Sequence, residues 1–202
     1  MPWHKERPLR VAALFQQLHA EGLLPRTHPL APRRATDAEL LRCHSAEHIA
    51  AVDGTFESAF EAARPERRGE NANGPYVQVD GDIFYNAHTA TAARFAAGCC
   101  VEAALAVASG AVASALAVVR PPGHHAECDR AMGFCFYNST AVAALAALAA
   151  PGVARVVVLD WDIHHGNGIQ NMLYERDDAL YISIHRARAP RPASRIPPSK
   201  AF

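Results

Sequence analysis

Apolar residues follow two periods along this chain, one helical and one extended, and the extended runs end in polar chemistry. From Arg7 to Glu21, Leu9, Val11, Leu14, Phe15 and Leu18 recur at helical spacing and Gly22 closes the segment, which predicts an amphipathic surface helix. Pro25, Pro29 and Pro32 mark a connection. Thr36 is placed to begin a short helix through Leu41, and Ser45, with Glu47 and His48 behind it, opens another that ends near Asp53. Residues 55–64 continue helically in this reading, and the charged, apolar-poor stretch Pro65 to Gly74 reads as an exposed loop. Val77 to Phe84 then leads into a long alanine-rich helix from about His88 to Ser109, where Gly98 allows close approach of a neighbour.

The second half alternates. Ser114 to Val119 reads as a short apolar strand, stopped at Pro121-Pro122 because two prolines cannot continue in a central strand. Asn138 caps an apolar helix to about Ala150, Pro151-Gly152 turns the chain, and Arg155 to Leu159 forms the next strand. Asn167 to Glu175 is predicted helical, and Ala179 to Ile184 a further strand that ends at His185. Such alternation implies parallel β-α-β units with right-handed crossovers. The apolar run Val156 to Leu159 passes directly into Asp160-Trp161-Asp162-Ile163-His164-His165-Gly166, the signature of a buried strand delivering polar groups at its carboxyl end. Residues two apart on an extended segment share a face, so Asp160, Asp162 and His164 can converge on one crevice. His124-His125 follow the end of the other predicted strand, at the same sheet edge.

Composition narrows the field. At 202 residues the chain suits one domain or one and a half, and 20 basic against 20 acidic residues leave no global field to draw it to nucleic acid or an anionic membrane. The N-terminal residues have no apolar core of a secretory signal, and the apolar stretch at 89–108 carries Arg94 and Glu102, so the expectation is a soluble protein that spans no membrane. Five cysteines without a C-x-x-C pair fit a reduced intracellular setting. Cys135 reads as a small core residue and Cys128 as a loop thiol, while His4, His19, His28, His44, His48 and His88 read as surface or packing residues.

A carboxylate and an imidazole converging at a strand end are natural ligands for a divalent metal, and further histidines nearby can move protons. Metal-assisted amide hydrolysis is the reaction class these residues suggest. The motifs Arg120-Pro121-Pro122-Gly123-His124-His125-Ala126, Ala131 to Asn138, Leu159 to Gly168, Cys43-His44-Ser45-x-x-His48 and Tyr181 to Arg186 resemble the zinc-dependent histone deacetylases, in their class II form. Lys5 to Arg10 resembles that family's opening motif. The resemblance implies an α/β three-layer sandwich with a mainly parallel sheet, arginase/deacetylase-like, truncated here at both ends. It covers residues 1–186 as a partial deacetylase domain and leaves residues 187–202 as a divergent Arg/Pro-rich tail, a composition expected to be disordered.

Residue by residue, the resemblance makes Asp162 and His164 ligands of Zn2+, His125 the general base, and His124 its electrostatic and acid partner. Asp160 would hold His124, and Asn167, where other members carry Asp, would orient His125. Gly133 and Phe134 would line a channel for the acetyl-lysine side chain, with Asp82 an acid at its rim. Asp160, Asp162, His164, Ser183 and Ile184 would form a K+ site, partly through carbonyls. Implied partners are acetyl-lysine proteins such as histone tails, with co-regulator proteins and without nucleic acid, in the nucleus or cytoplasm. The family's third metal ligand, its glycine-rich segment and its oxyanion tyrosine have no counterpart in this sequence, so impaired hydrolysis, or a catalytically inactive fragment acting as an interaction module, is the expectation. The arginase-like ureohydrolases share the layout but use Asp-x-His-x-Asp, which Asp160-Trp161-Asp162-Ile163-His164 does not fit.

Overall fold

A computed structural model describes residues 4–55, 77–80 and 82–186. The predicted continuation through residue 64, the loop at 65–74 and the tail at 187–202 lie outside these residues.

The elements run α1 (Leu9–Ala20), α2 (Asp37–Leu40), α3 (Ala46–Asp53), β1 (Val77–Asp80), β2 (Ile83–Tyr85), α4 (Thr89–Ala108), α5 (Ser139–Leu148), β3 (Val156–Asp160), α6 (Asn167–Leu173) and β4 (Ala179–Ser183). The caps sit where the side chains dictate. Thr36 accepts from the Glu39 backbone N–H while the Glu39 carboxylate accepts from the Thr36 N–H, a reciprocal pair that satisfies two otherwise orphaned donors. Ser45 caps α3, and Asn138 caps α5 through the Ala141 N–H.

β3 and β4 pair in parallel, Val156 opposite Ala179 through Asp160 opposite Ser183, and β1 and β2 form a separate antiparallel pair. Along β3 and β4 the pleat turns Val156, Val158, Ala179 and Tyr181 toward the core, whereas Val157, Leu159, Leu180 and Ile182 stay exposed on the opposite face. The helices lie on the first face. α4 packs chiefly on α5 through a seam of small residues, Ala93, Ala97 and Val101 against a helix whose Ala141 to Ala147 are all buried. Gly98 is needed where α4 meets the segment from Arg33 to Ala35, because a Cβ would fall 2.2 Å from the Arg33 carbonyl oxygen.

α4 is long and apolar enough to cross a membrane, yet its charges are satisfied within the protein. Arg94 pairs with Asp53 at 2.5 Å and Asp37 at 2.7 Å, and Arg33 reaches both Glu102 and Glu39. One side of α4, from Ala90 to Val101, is buried against the rest of the protein. α1 is surface-lying as predicted but buries no side chain. Its inner side faces an apolar cavity of about 470 Å³ lined by Val11, Phe95 and Val118.

One predicted element is corrected. Residues 114–119 have no strand partner among the described residues and form no strand, with Leu116 exposed. An apolar run before two prolines predicts extended backbone, but a strand also needs a neighbour to bond to, and β3 finds its partner in β4.

Candidate active site

Three segments meet at the carboxyl end of β3: the turn carrying His124 and His125, the stretch from Asp160 to the start of α6, and the tight turn at Met132 to Cys135. Gly166 makes the approach possible. A Cβ there would lie 2.3 Å from Asp160 Oδ2 and 3.0 Å from His124 Nδ1. Asp160 closes the strand and collects three donors: His124 Nδ1–H at 2.9 Å, the Tyr181 hydroxyl at 3.1 Å and the Asp162 backbone N–H at 3.1 Å. That fixes His124 with Nδ1 protonated and Nε2 directed toward Asp162 Oδ1, 3.9 Å away.

His125 is held in the same way by a neutral partner, its Nδ1 lying 2.7 Å from Asn167 Oδ1. The two rings lie side by side with centroids 4.0 Å apart and planes tilted by 45°, and the His164 ring lies 5.9 Å from that of His125. Burial pushes the His125 imidazole below its ordinary pKa; the Asn167 bond opposes this, and the cationic forms of His124 and His164 reinforce it. A neutral, oriented imidazole is the form that accepts a proton.

Asp162 and His164 leave the strand and are far more exposed, at 48% and 70% of their side chains. Burial raises the Asp162 carboxyl, but hydrogen bonds from the His164 N–H and ring, together with His124, outweigh it and hold the group below the ordinary carboxylate value. Asp162 Oδ1 and His164 Nδ1 converge to 3.0 Å. Two ligand atoms of a tetrahedral zinc at roughly 2.0–2.1 Å would lie about 3.3 Å apart, so the pair fits that ion. Among the described residues, no group of three or more His, Cys, Asp or Glu side chains is arranged to hold a metal.

The turn beside His125 is strained in a useful way. Gly133 and Phe134 both adopt positive φ, at 55° and 70°. A Cβ on Gly133 would strike His125 Cδ2 at 2.3 Å, so glycine lets the turn close against the imidazole. The Phe134 ring meets His4 edge-on at 4.9 Å, and His4 in turn meets Phe84 at 4.5 Å. This aromatic row borders the site, and Asp82 lies exposed in the β1–β2 turn two residues before Phe84. Ser183 stands opposite Asp160 in the sheet, the Ile184 N–H donates to the Asp160 carbonyl at 2.9 Å, and the Ser183 hydroxyl pairs with His185.

The Histone deacetylase domain family model matches residues 4–195. The chain belongs to the histone deacetylase family. It is similar to Histone deacetylase 15 of Arabidopsis thaliana, 41% identical over 184 residues, and to Histone deacetylase 7 of Homo sapiens, 36% identical over 191 residues, both class II. Each alignment covers 91% of this chain but only 30% and 20% of the relatives. The crystal structure of the HDA15 HD domain superposes with a TM-score of 0.79 at 40% identity, over 90% of this chain and 47% of that one. The chain thus has the deacetylase fold and spans less than a third of the curated relatives it matches.

The site also contains residues that the sequence reading did not single out. Tyr181 braces Asp160 and accepts from the Gly166 N–H at 3.2 Å. It faces inward two residues before Ser183, a spacing that could have found it. His44 and His48 are buried packing residues, as expected, with His44 bonded to the Glu127 carbonyl and His48 to the Phe136 carbonyl. His4, read as surface or packing, lies against the aromatic row.

Proposed function

We propose that this chain carries the proton-transfer half of a zinc-dependent lysine deacetylase site, acting on acetyl-lysine in proteins such as histone tails. The observation that supports this is the pair of oriented dyads, His124–Asp160 and His125–Asn167, side by side next to Asp162 and His164. Asp162 and His164 would hold zinc, which when bound supplies Lewis acidity toward the amide carbonyl and the attacking water. His125 accepts the proton of that water at Nε2. His124, with Nδ1 held by Asp160, donates toward the leaving amine from Nε2 once protonated. Gly133, Phe134 and Phe84 offer an apolar wall to the methylenes and neutral amide of the substrate, and Asp82 grips its backbone at the rim. Asp160, Asp162, His164, Ser183 and Ile184 supply the oxygen-rich environment that would take K+.

The activity of this chain alone is proposed to be impaired, because no counterpart of a third ligand or an oxyanion donor has been found in it. Loss of one oxyanion donor alone costs on the order of 10² to 10³ in rate. A catalytically inactive fragment serving as an interaction module is the second reading, favoured by the exposed apolar face of β3 and β4. We propose that the protein acts inside the cell, in nucleus or cytoplasm, with co-regulator proteins among its partners. Purified chain with zinc, assayed on an acetyl-lysine peptide, should turn over far more slowly than a complete deacetylase domain. Turnover matching that domain and abolished by His125→Ala would refute the impairment; zinc binding unaffected by Asp162→Ala would refute the ligand assignment.

A further inference from the structure

We propose that Glu127 is a positioning residue for the proton acceptor, locking the side-chain amide of Asn167 so that its oxygen, not its nitrogen, faces His125. This rests on the reading of His125 as the base. The two ends of an asparagine amide have nearly the same shape, so only the hydrogen-bonding surroundings decide which way it points. Here they decide through Glu127. Its side chain is buried, the residue being 8% exposed, and Oε1 accepts from Asn167 Nδ2 at 2.6 Å. Asn171 Nδ2 bridges the two carboxylate oxygens at 3.0 and 3.1 Å, which anchors the carboxylate from a second side.

Reversing the Asn167 amide would set Oδ1 against Glu127 Oε1, acceptor to acceptor at 2.6 Å. The other contacts on that side, the His125 carbonyl and Met132 Sδ, are both at 3.3 Å and weaker. The same reversal would aim Nδ2–H at His125 Nδ1, moving the ring proton to Nε2 and removing the free lone pair. His125 and Glu127 are two residues apart in one segment and hold Asn167 from opposite ends. That segment is itself clamped, because the Glu127 carbonyl accepts from buried His44 and its N–H donates to the Arg130 carbonyl. In this chain, where the orienting residue is a neutral amide, the direction of polarity has to be imposed from outside it. Glu127 imposes it.

The test reads the tautomer of His125 by nitrogen-15 NMR of the whole chain labelled in histidine, at a pH where the ring is neutral. The wild-type chain should show the Nδ1–H form. Glu127→Gln, nearly isosteric, replaces the acceptor-only carboxylate with an amide that can turn together with Asn167, and should shift the ratio toward Nε2–H by about tenfold, the scale of trading a charge-assisted hydrogen bond for a neutral one. The Glu127→Gln/Asn167→Asp double variant should restore Nδ1–H, since a carboxylate has no donor end to turn around. An Nε2–H wild type, an unchanged ratio in Glu127→Gln, or a double variant that fails to restore it each overturns the proposal. The wild-type spectrum remains decisive if Glu127→Gln does not fold. No arm measures turnover, so an inactive chain and a misassigned Glu127 give different results.

Discussion

Acid should destabilise this protein through His44. The ring is only 2% exposed and both nitrogens are committed: Nδ1 lies 3.0 Å from the Glu127 carbonyl, and Nε2 accepts the Asn138 N–H at 2.9 Å. Protonation would set an N–H at Nε2 against another N–H. Burial, reinforced by His48, accordingly pushes the His44 pKa from 6.5 down to about 4. A histidine whose pKa is lowered by folding contributes its full stability above the unfolded value of 6.5 and loses it as pH falls toward about 4. The difference, about 2.5 pH units at 1.36 kcal/mol each, sets a ceiling of about 3 kcal/mol, of which about 2 kcal/mol is gone by pH 5. Urea melts at intervals between neutrality and pH 4.5, wild type against His44→Asn, isolate this contribution. The wild type should lose about 2 kcal/mol more than the variant between pH 7 and 5. Parallel profiles would refute the assignment of a buried neutral imidazole.

Other substitutions test separate parts of the argument. Gly133→Ala should cost more than about 1 kcal/mol and displace His125, seen as a lower Tm and a shifted His125 ring resonance, because the position combines positive φ with a Cβ clash. Glu6, buried between Arg10 and Arg120, tethers the start of α1 to the Arg120–His125 turn. Glu6→Ala should cost about 1–3 kcal/mol in a denaturant melt, less than a fully buried pair because both arginines reach solvent. On β3, Val158→Thr should cost about 1–3 kcal/mol by placing a hydroxyl in the core. Val157→Thr, one residue away on the exposed face, should stay within about 0.5 kcal/mol.

Much of the site was readable because its residues follow one another. The sequence from Val156 to Gly168 places an apolar strand, its polar end and a glycine turn in a single stretch, and the structure keeps that order. The caps at Thr36, Ser45 and Asn138 were equally legible, being local chemistry within three residues. What could not be read depends on partners distant in sequence. Residues 114–119 have the composition of a strand and lack only a neighbour, which no local pattern reports. The link from Glu127 to Asn167 and Asn171 crosses 40 and 44 positions. Glu127 itself looks like an ordinary loop acid until burial shows otherwise.

The alternation of β3 and β4 carries a consequence for the life of the protein in a cell. Among the described residues, Val157, Leu159, Leu180 and Ile182 form a ridge of branched side chains on one exposed face, the kind of surface that chaperones and proteases engage when nothing covers it. Two variants with equal melting temperatures can differ severalfold in cellular level if one of them makes this single face more polar.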